Sequence, residues 1–575
     1  MVVANIQDGN GQIAGDEGVC AKDFDPPSGN SVTKHKQRSM ITDLQMAVFI
    51  RHRSTLRLGL LAVLWLVTTP SAWASNCHDL VGVWIVESVS PEGMIPETVT
   101  FTETERAMSG IWSIWSNWSS QDLQGKIEDV NLRDGVLSFT VRFGTFRTSW
   151  RGQFRQEERF AMTWRDEKDG HVVRTRLFRR ASAEVLKEAK ANAPEDLIAQ
   201  RIPLPQLRAL PSNGLASVPP MGWSSWNHFK ETIDDQSIRQ IADALVSSGL
   251  QDAGYIYVDI DDGWQGRRTV KGTLRPNAKF PDMKGLADYV HSKGLKFGIY
   301  SVAGPITCAD YVGSHGYESL DATTFARWEI DLLKYDWCSA GVIYKTQADM
   351  QALYQKMGEA LQATGRPIVY SVCQWGQFDV GSWGRKVGGN MWRTGGDSIE
   401  GKVWASVSLR FEQHGSPNDS GPGGWNDEDI LLIGNGDMTN EEMRTHFTLW
   451  SMLASPLILG NDVRSMTPDI RKILLNREVI AIDQDTAGKQ GVPVIKRGLC
   501  EVWVKPLADG SVAVALFNRG EQDSVIALSW ADLNLNGPQK VRDLWRNVDL
   551  AGRENGYSDT LPAHGSVLLR VRDAR

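Results

Sequence analysis

Two aspartates in this sequence have the setting of a catalytic carboxylate pair. Asp336 ends the apolar run Leu332–Asp336, and Asp397 lies four residues after Arg393. Two carboxylates at the ends of two strands, each with a cation nearby, are the groups that glycoside hydrolysis requires. Lys334 and backbone donors favour the ionised form of Asp336, whereas repulsion from Asp336 raises the proton affinity of Asp397. We therefore predict a nucleophile at Asp336 and a proton donor at Asp397, with Arg393 too distant to hold that donor ionised.

The elements that would position this pair alternate between strand and helix over residues 218–487. A repeated β–α order of this length predicts a (β/α)8 TIM barrel rather than an open sheet. No Gly-x-Gly-x-x-Gly follows the first strand, which argues against a dinucleotide-binding fold. The predicted strands are Met221–Trp223, Tyr255–Asp259, Lys296–Tyr300, Leu332–Asp336, Pro367–Tyr370, Asn390–Trp392, Gly424–Trp425 and Pro456–Leu459. The predicted helices include Asp235–Ser248, Met283–Ser292, Gln347–Ala363 and Asn440–Leu453.

Polar and aromatic side chains follow nearly every predicted strand. In a TIM barrel the carboxyl ends of the strands share one rim, where the active site lies. A single aspartate after a strand is more commonly a helix cap, but a converging set predicts a pocket. Such a pocket would hydrogen-bond a polyhydroxylated ring and stack it on a tryptophan. The set consists of Trp226, Asp261, Asp262, Tyr300, Lys334, Asp336, Gln374, Arg393, Asp397, Asp427 and Asp429.

The barrel is predicted to lie between two β-rich regions. Residues 75–180 alternate apolar and polar side chains with turns between the runs, which predicts an all-β domain, either a small sandwich or a barrel. An Ala/Glu/Lys stretch followed by several prolines predicts a linker at 181–217. Asp509-Gly510 between two alternating runs predicts a hairpin. We therefore expect an antiparallel β-sandwich at 488–575, and an α/β fold class overall.

Charge and composition limit the partners of this protein. The 575-residue chain carries a net charge of −7, which does not favour nucleic acid or an anionic membrane. Asp259, Asp261 and Asp262 do not have the spacing of a calcium loop. We expect a small-molecule or glycan substrate, no nucleic-acid partner, no membrane association after signal cleavage, no cofactor and no metal. A homo-oligomer is left open.

Residues 1–74 are predicted to form a leader. A basic stretch begins at Arg51, the apolar run Leu58–Val67 is too short to span a bilayer, and Ala72–Ala74 fits a cleavage site. Because such a signal normally follows the first methionine, we expect translation to start at Met40 or Met46, with residues 1–45 an over-extended start. The alternative is a disordered tail before a buried helix. The mature protein would be exported to the periplasm or the extracellular space.

The cysteines fit an exported protein. Of the six cysteines, Cys20 lies in the leader, so an odd number remains and at least one thiol is free. Cys308 and Cys338 lie at the ends of neighbouring predicted strands and are the disulfide candidates. The pairing of the three others, Cys77, Cys373 and Cys500, is left open.

The predicted barrel resembles glycoside hydrolase family 27, the α-galactosidases and α-N-acetylgalactosaminidases. The resemblance covers residues 218–575. It rests on Pro220–Asn227, Asp261–Trp264, Gly298–Ser301, Leu333–Cys338, Trp392–Asp397, Gly421–Asp427 with Asp429, Trp450–Leu457 and Asn476–Asp485. It implies a retaining hydrolase that removes terminal α-linked galactose, with Asp336 as nucleophile and Asp397 as acid/base. The two carboxyl groups of a retaining enzyme lie about 5–5.5 Å apart.

The resemblance also implies roles for the other rim residues. Asp261 and Asp262 would bind the 4- and 6-hydroxyls of galactose, and Arg393 would lie near its 2-position. Lys334 and Tyr300 would contact the ring near the nucleophile. Trp226, Gln374 and Asp429 complete the predicted substrate-binding set, and Cys308–Cys338 matches a disulfide that frames the pocket.

One position departs from the family pattern. Many family galactosidases have glutamate where this chain has Gln374, near the sugar 2-substituent. A glutamine still donates and accepts hydrogen bonds. Two alternatives therefore stay open: an α-N-acetylgalactosaminidase or another hydrolase of the family, and a non-catalytic carbohydrate-binding protein. The presence of both aspartates disfavours the second alternative.

Overall fold

The computed structural model describes most of the chain from residue 80 onward. The described ranges are 80–87, 97–104, 107–114, 123–133, 135–143, 146–154, 159–165, 172–181, 201–398, 402–551 and 553–574. The predicted leader, its cleavage site, Cys77 and residues 182–200 of the predicted linker lie outside these ranges. Within them, no helix has the length and apolar character needed to cross a membrane.

The first described domain is a closed antiparallel barrel of eight strands. Each strand pairs with the next, and the first pairs with the last, which closes the barrel. Trp84, Phe160 and Phe178 fill its interior, with the two phenylalanine rings stacked 4.9 Å apart. The all-β prediction for this region is confirmed. The strands are β1 (Gly82–Glu87), β2 (Glu97–Thr104), β3 (Ala107–Ile114), β4 (Leu123–Arg133), β5 (Val136–Phe143), β6 (Phe146–Gln153), β7 (Arg159–Arg165) and β8 (Val172–Arg180).

The second domain contains eight parallel strands and one inserted hairpin. The strands are β9 (Met221–Ser224), β10 (Tyr257–Ile260), the hairpin β11 (Gln265–Arg268) and β12 (Leu274–Pro276), β13 (Lys296–Val302), β14 (Leu332–Asp336), β15 (Val369–Cys373), β16 (Met391–Arg393), β17 (Trp425–Asp427) and β18 (Leu457–Leu459). The parallel order is β17-β16-β15-β14-β13-β10-β9-β18. A parallel bridge between Leu431 and Leu459 joins the two edges. The predicted TIM barrel is therefore confirmed.

Helices surround these strands, and several of them begin at a side-chain cap. The side chain of Asp234 accepts from the amide of Ser237, and Thr439 forms a capping box with Glu442. The helices are α1 (Trp226–Phe229), α2 (Asp235–Ser247), α3 (Leu250–Ala253), α4 (Met283–Ser292), α5 (Glu318–Arg327), α6 (Ala340–Ile343), α7 (Gln347–Ala363), α8 (Val403–Arg410), α9 (Asn440–Leu453), α10 (Pro468–Leu474) and α11 (Arg477–Asp483). Short 3-10 turns lie at Lys230–Thr232, Val380–Ser382, Gly384–Val387, Val463–Ser465 and Trp530–Leu533.

The third domain is the predicted antiparallel sandwich. A six-stranded sheet has the order β19-β20-β21-β26-β23-β24, and β22 pairs with β25. The predicted hairpin is present, since Cys500 pairs with Asn518 and Gly510 supplies the turn at φ 82°. Its strands are β19 (Val492–Arg497), β20 (Cys500–Pro506), β21 (Val512–Asn518), β22 (Ser524–Ser529), β23 (Gln539–Asp543), β24 (Val548–Leu550), β25 (Gly556–Leu561) and β26 (Ser566–Asp573).

Residues 201–217, the described end of the predicted linker, run along the TIM barrel. The amide of Arg208 donates to Oε1 of Gln355 on α7, and the amide of Leu210 donates to the carbonyl of Lys386. Leu210 is buried. This segment therefore packs on the barrel, while the domain boundaries given above stay predictions.

Candidate active site

Asp336 lies at the carboxyl end of β14, deep in the barrel mouth. Only 5% of the residue is exposed. Its Oδ1 accepts from the amide of Trp337 at 2.7 Å, and its Oδ2 accepts from the hydroxyl of Tyr300 at 3.2 Å. Parallel register places Tyr300 beside Lys334, two residues before Asp336. These two donors hold the carboxylate in one orientation.

Asp397 lies four residues beyond the end of β16, at the mouth of the same pocket. Its side chain is 71% exposed, whereas that of Arg393 is only 4% exposed. Arg393 contacts two carboxylates: its Nη2 lies 3.1 Å from Oδ1 of Asp397, and its Nη1 lies 2.9 Å from Oδ1 of Asp429. The prediction that Arg393 stays away from Asp397 is wrong, because the strand end directs the guanidinium between the two carboxylates.

The charges of the candidate pair, Asp336 and Asp397, also differ from the sequence prediction. Burial, together with the charge of Asp397, raises the pKa of Asp336 to about 6 and outweighs the opposing effect of Lys334. The surrounding protein acts to raise the pKa of Asp397, but the charge of Arg393 outweighs this effect and holds the pKa below its ordinary value. The free protein therefore holds the last proton of the pair on Asp336. The Coulomb coupling places the two carboxyl groups within electrostatic reach of each other.

Asp261 and Lys334 form a buried ion pair on neighbouring faces of the pocket. Nζ of Lys334 lies 2.6 Å from Oδ2 of Asp261. Burial would lower the pKa of Lys334, but the charge of Asp261 raises it well above its ordinary value. The two carboxylate oxygens of Asp262 accept from the amides of Gly263 at 2.9 Å and Ala309 at 2.7 Å.

The remaining predicted binding residues occupy different depths. Trp226 is half-buried at the start of α1, with Nζ of Lys230 5.4 Å from its ring centroid. Gln374 is fully buried, and its amide bonds to backbone: Nε2 donates to the carbonyl of Arg393, and Oε1 accepts from the amide of Gln377. Gln374 thus fixes the loop after β15 against the strand that carries Arg393.

Asp429 has a left-handed backbone, with φ 89°. A non-glycine residue in such a conformation costs on the order of 1–3 kcal/mol and persists where its surroundings fix it. Its amide donates to Oδ1 of Asp427, and its Oδ2 accepts from the amide of Ser398 at 2.6 Å. With the ion pair to Arg393, these bonds fix Asp429 against the loop that carries Asp397.

Cys308 and Cys338 are joined by the predicted disulfide, with their Cα atoms 5.3 Å apart. The sulfur of Cys308 lies 3.9 Å from Oδ2 of Asp336, so the disulfide borders the pocket. Cys373 and Cys500 are both buried. Arg393 Nη1 lies 3.8 Å from the sulfur of Cys373.

Sequence reasoning included Asp427 in the converging set of rim residues but did not include Asp259. Both line a cavity of about 40 Å³ inside the barrel, together with Lys334 and Arg393. Burial raises the pKa of Asp259 to about 8 and that of Asp427 to about 6. The alternation of side chains along β10 could have identified Asp259. Residues two apart on a strand share a face, and Asp261 was already a candidate.

The chain is similar in sequence to several α-galactosidases. It is 45% identical over 347 residues to an α-galactosidase of Cyamopsis tetragonoloba, a match that covers 59% of this chain and 82% of the relative. The chain belongs to the α-galactosidase family. Two family models of these glycosidases match it, one described as alpha galactosidase A over residues 218–485 and one as the alpha galactosidase C-terminal beta sandwich domain over 497–571.

Solved structures place the α-galactosidase fold on the same residues. Alpha-galactosidase I from Mortierella vinacea is 37% identical with a TM-score of 0.59, and the match covers 63% of this chain and 99% of that structure. A structure from Bacteroides fragilis is 30% identical with a TM-score of 0.60 and covers 86% of this chain and 99% of its own. The second match extends beyond the catalytic and C-terminal domains. The chain is thus an α-galactosidase of glycoside hydrolase family 27 and hydrolyses terminal galactose.

Proposed function

We propose that this α-galactosidase works by double displacement with retention, using Asp336 as nucleophile and Asp397 as acid/base. The observation that supports these roles is the placement of the two carboxyl groups. Asp336 is buried and oriented by Trp337 and Tyr300, whereas Asp397 is exposed at the mouth, where a leaving group would depart. A nucleophile needs a fixed orientation, and an acid/base needs access to both the leaving group and water.

In the first step, an oxygen of Asp336 attacks the anomeric carbon from the face opposite the leaving group. The bond from that carbon to the glycosidic oxygen breaks, and Asp397 gives its proton to the departing oxygen. The donor must therefore be protonated in the complex although Arg393 holds it ionised in the free protein. A sugar that fills the mouth excludes water from Asp397 and raises its pKa, which moves the proton of the pair toward it.

In the second step, ionised Asp397 takes a proton from a water molecule. The resulting oxygen attacks the same carbon, and the ester bond to Asp336 breaks with its electron pair returning to the carboxylate. The pair thus ends the cycle with the single proton with which it began.

Two features at the base of the pocket suit recognition of the sugar. Lys334 and Asp261 present a charged donor and acceptor 2.6 Å apart, and such groups bind adjacent hydroxyls of a ring. Trp226 offers a half-buried aromatic face for stacking. Four other predicted binding residues hold backbone or charged neighbours in place: Asp262, Gln374, Arg393 and Asp429. In this proposal they line the pocket and also fix its shape.

The stereochemistry of the product tests the mechanism. Hydrolysis of an aryl α-galactoside, followed by proton NMR within the first minutes, is expected to show α-galactose first and β-galactose only as mutarotation proceeds. Retention follows from two successive inversions at one carbon. β-Galactose as the first product would mean that water attacks directly and that Asp336 is not the nucleophile.

We also propose that the protein is exported. The support is the basic stretch, apolar run and small-residue site at 51–74, together with the Cys308–Cys338 disulfide, which persists in oxidising compartments. Mass spectrometry of the native protein is expected to find an N-terminus near Ser75. A peptide from residues 1–70 in the mature protein would contradict export by this signal.

A further inference from the structure

The loop that carries Asp397 is held by two guanidinium groups from different elements. Nη2 of Arg393, at the end of β16, donates to the carbonyl of Gly395 at 3.1 Å. Nη2 of Arg410, at the end of α8, donates to the carbonyl of Gly396. The two carbonyls are consecutive, and the next residue is Asp397. The direction of the Asp397 side chain therefore depends on two anchors directly before it.

Arg410 is a buried residue, not a surface residue. The residue is 5% exposed at the last position of α8. A Cβ atom on Gly395 would lie 2.0 Å from Nη1 of Arg410, whereas a Cβ on Gly396 would meet nothing within 4 Å. The guanidinium thus packs against the face of Gly395, and only glycine leaves room for it there.

A series of buried residues leads from Arg410 toward the other anchor, Arg393. His446 is fully buried, and burial together with the charge of Arg410 lowers its pKa to about 3, so the ring stays neutral. That ring meets Trp450 edge to face at 4.1 Å, and Nε1 of Trp450 donates to the carbonyl of Asp429 at 2.9 Å. Asp429 in turn binds Arg393. Asp429, the partner of Arg393, is therefore held by α9, which also carries His446 near Arg410.

We propose that Arg410 is a positioning residue for the acid/base Asp397. The inference rests on the proposed function, because it concerns how the proton donor reaches the leaving group. The side chain of Asp397 is 71% exposed and has Arg393 as its ion-pair partner among the described residues. Its position is then set by the loop backbone, and proton transfer requires the donor within about 3 Å of the glycosidic oxygen. Arg410 supplies the anchor that does not itself border the sugar.

The test compares leaving groups in Arg410→Met and Arg410→Lys. A dinitrophenyl leaving group departs without being protonated, whereas the methoxy group of a methyl galactoside must receive a proton to leave as methanol. For Arg410→Met, we expect kcat/KM to fall roughly 30-fold or more with methyl α-galactoside and less than about 3-fold with dinitrophenyl α-galactoside. Arg410→Lys retains a charge and a donor, so it is expected to recover a good part of the loss. Equal losses with the two substrates, or no loss, would refute the role.

Arg385 provides a matched control. Its guanidinium also donates to backbone carbonyls, at 3.0 Å to Pro422 and 3.1 Å to Gly424, although the residue is exposed. These carbonyls lie before β17, at the opposite end of the strands. Arg385→Met is expected to lower the melting temperature without any dependence on the leaving group. If Arg385→Met shows the same dependence as Arg410→Met, general loosening explains both and the positioning role is wrong.

Three further variants keep the test decisive. If Arg410→Met does not fold, Gly395→Ala displaces the guanidinium from the loop and is expected to show the same leaving-group dependence, with a smaller effect for Gly396→Ala. Asp397→Ala, measured on the same two substrates, separates the two hypotheses. If the loss of kcat/KM in Asp397→Ala does not depend on the leaving group, the proposed acid/base role is wrong. If that loss depends on the leaving group but the losses in the Arg410 and Gly395 variants do not, only the role of Arg410 is wrong.

Discussion

Replacement of Asp336 by glycine is expected to lower kcat/KM for α-galactosides by about 10⁴-fold or more, because no covalent intermediate can form without the nucleophile. The change also removes the acceptor for the amide of Trp337 and the hydroxyl of Tyr300. These two losses lie at the rim of a barrel whose core is unchanged, so the variant is expected to fold and to bind galactose. Steady-state kinetics and calorimetric titration with galactose measure the two quantities.

Sodium azide provides a chemical test of this prediction. In Asp336→Gly, azide fills the space of the carboxylate, attacks from the same face and forms β-galactosyl azide. Asp331→Asn is the matched control: Asp331 lies just before the same strand, β14, where its carboxylate binds His291, Phe297 and Arg366. That variant is expected to lose stability and to form no azide product. Activity above one per cent in Asp336→Gly, or a β-azide from Asp331→Asn, would contradict the assignment.

The strands and helices that position the site were predictable because their signals are local. β14 has the predicted bounds Leu332–Asp336, and α4, α7 and α9 also begin and end where the sequence indicates. Helix α5 was missed, since it buries Glu318 and Asp321 and its apolar face is hidden by these charges. Asp321 is compatible with the interior only because Arg268, on the equally unpredicted hairpin, binds it at 2.6 Å.

The protonation of the proposed catalytic pair could not be predicted from the sequence. The sequence shows that Lys334 is near Asp336, but not that burial outweighs its charge. It shows four residues between Arg393 and Asp397, but not that the loop folds back and brings their side chains to 3.1 Å. Both quantities are set by tertiary packing, in which residues such as Arg410 and Asp429 act from other elements.

This charge arrangement fixes the pH dependence expected of the wild-type enzyme. Two coupled carboxyl groups titrate as a pair, and the active form contains one proton. The last proton leaves from Asp336 with a pKa of about 6. Above pH 6, kcat/KM is therefore expected to fall about tenfold per pH unit, because Asp397 can no longer obtain a proton. A profile that stays level to pH 8 would contradict this distribution of charge.

Asp397→Ala is expected to reverse that profile. With the acid/base absent, kcat/KM for methyl α-galactoside should fall by roughly 10²–10⁴-fold, while the dinitrophenyl substrate still reacts. For that substrate only Asp336 titrates, and it must be ionised, so kcat/KM rises with pH and then stays level. The pKa of this rise lies below 6, since the charge of Asp397 that raises the pKa of Asp336 is gone. A persistent alkaline fall would assign the proton donor to another residue.

Azide also distinguishes this variant from the nucleophile variant. In Asp397→Ala the galactosyl ester on Asp336 still forms, but water lacks a base to activate it. Azide needs no base and attacks the ester from the face that the leaving group vacated, so the product is α-galactosyl azide with restored turnover. The opposite anomers from the two variants would place Asp336 and Asp397 on opposite faces of the sugar. The same anomer from both would be incompatible with a double displacement at this pair.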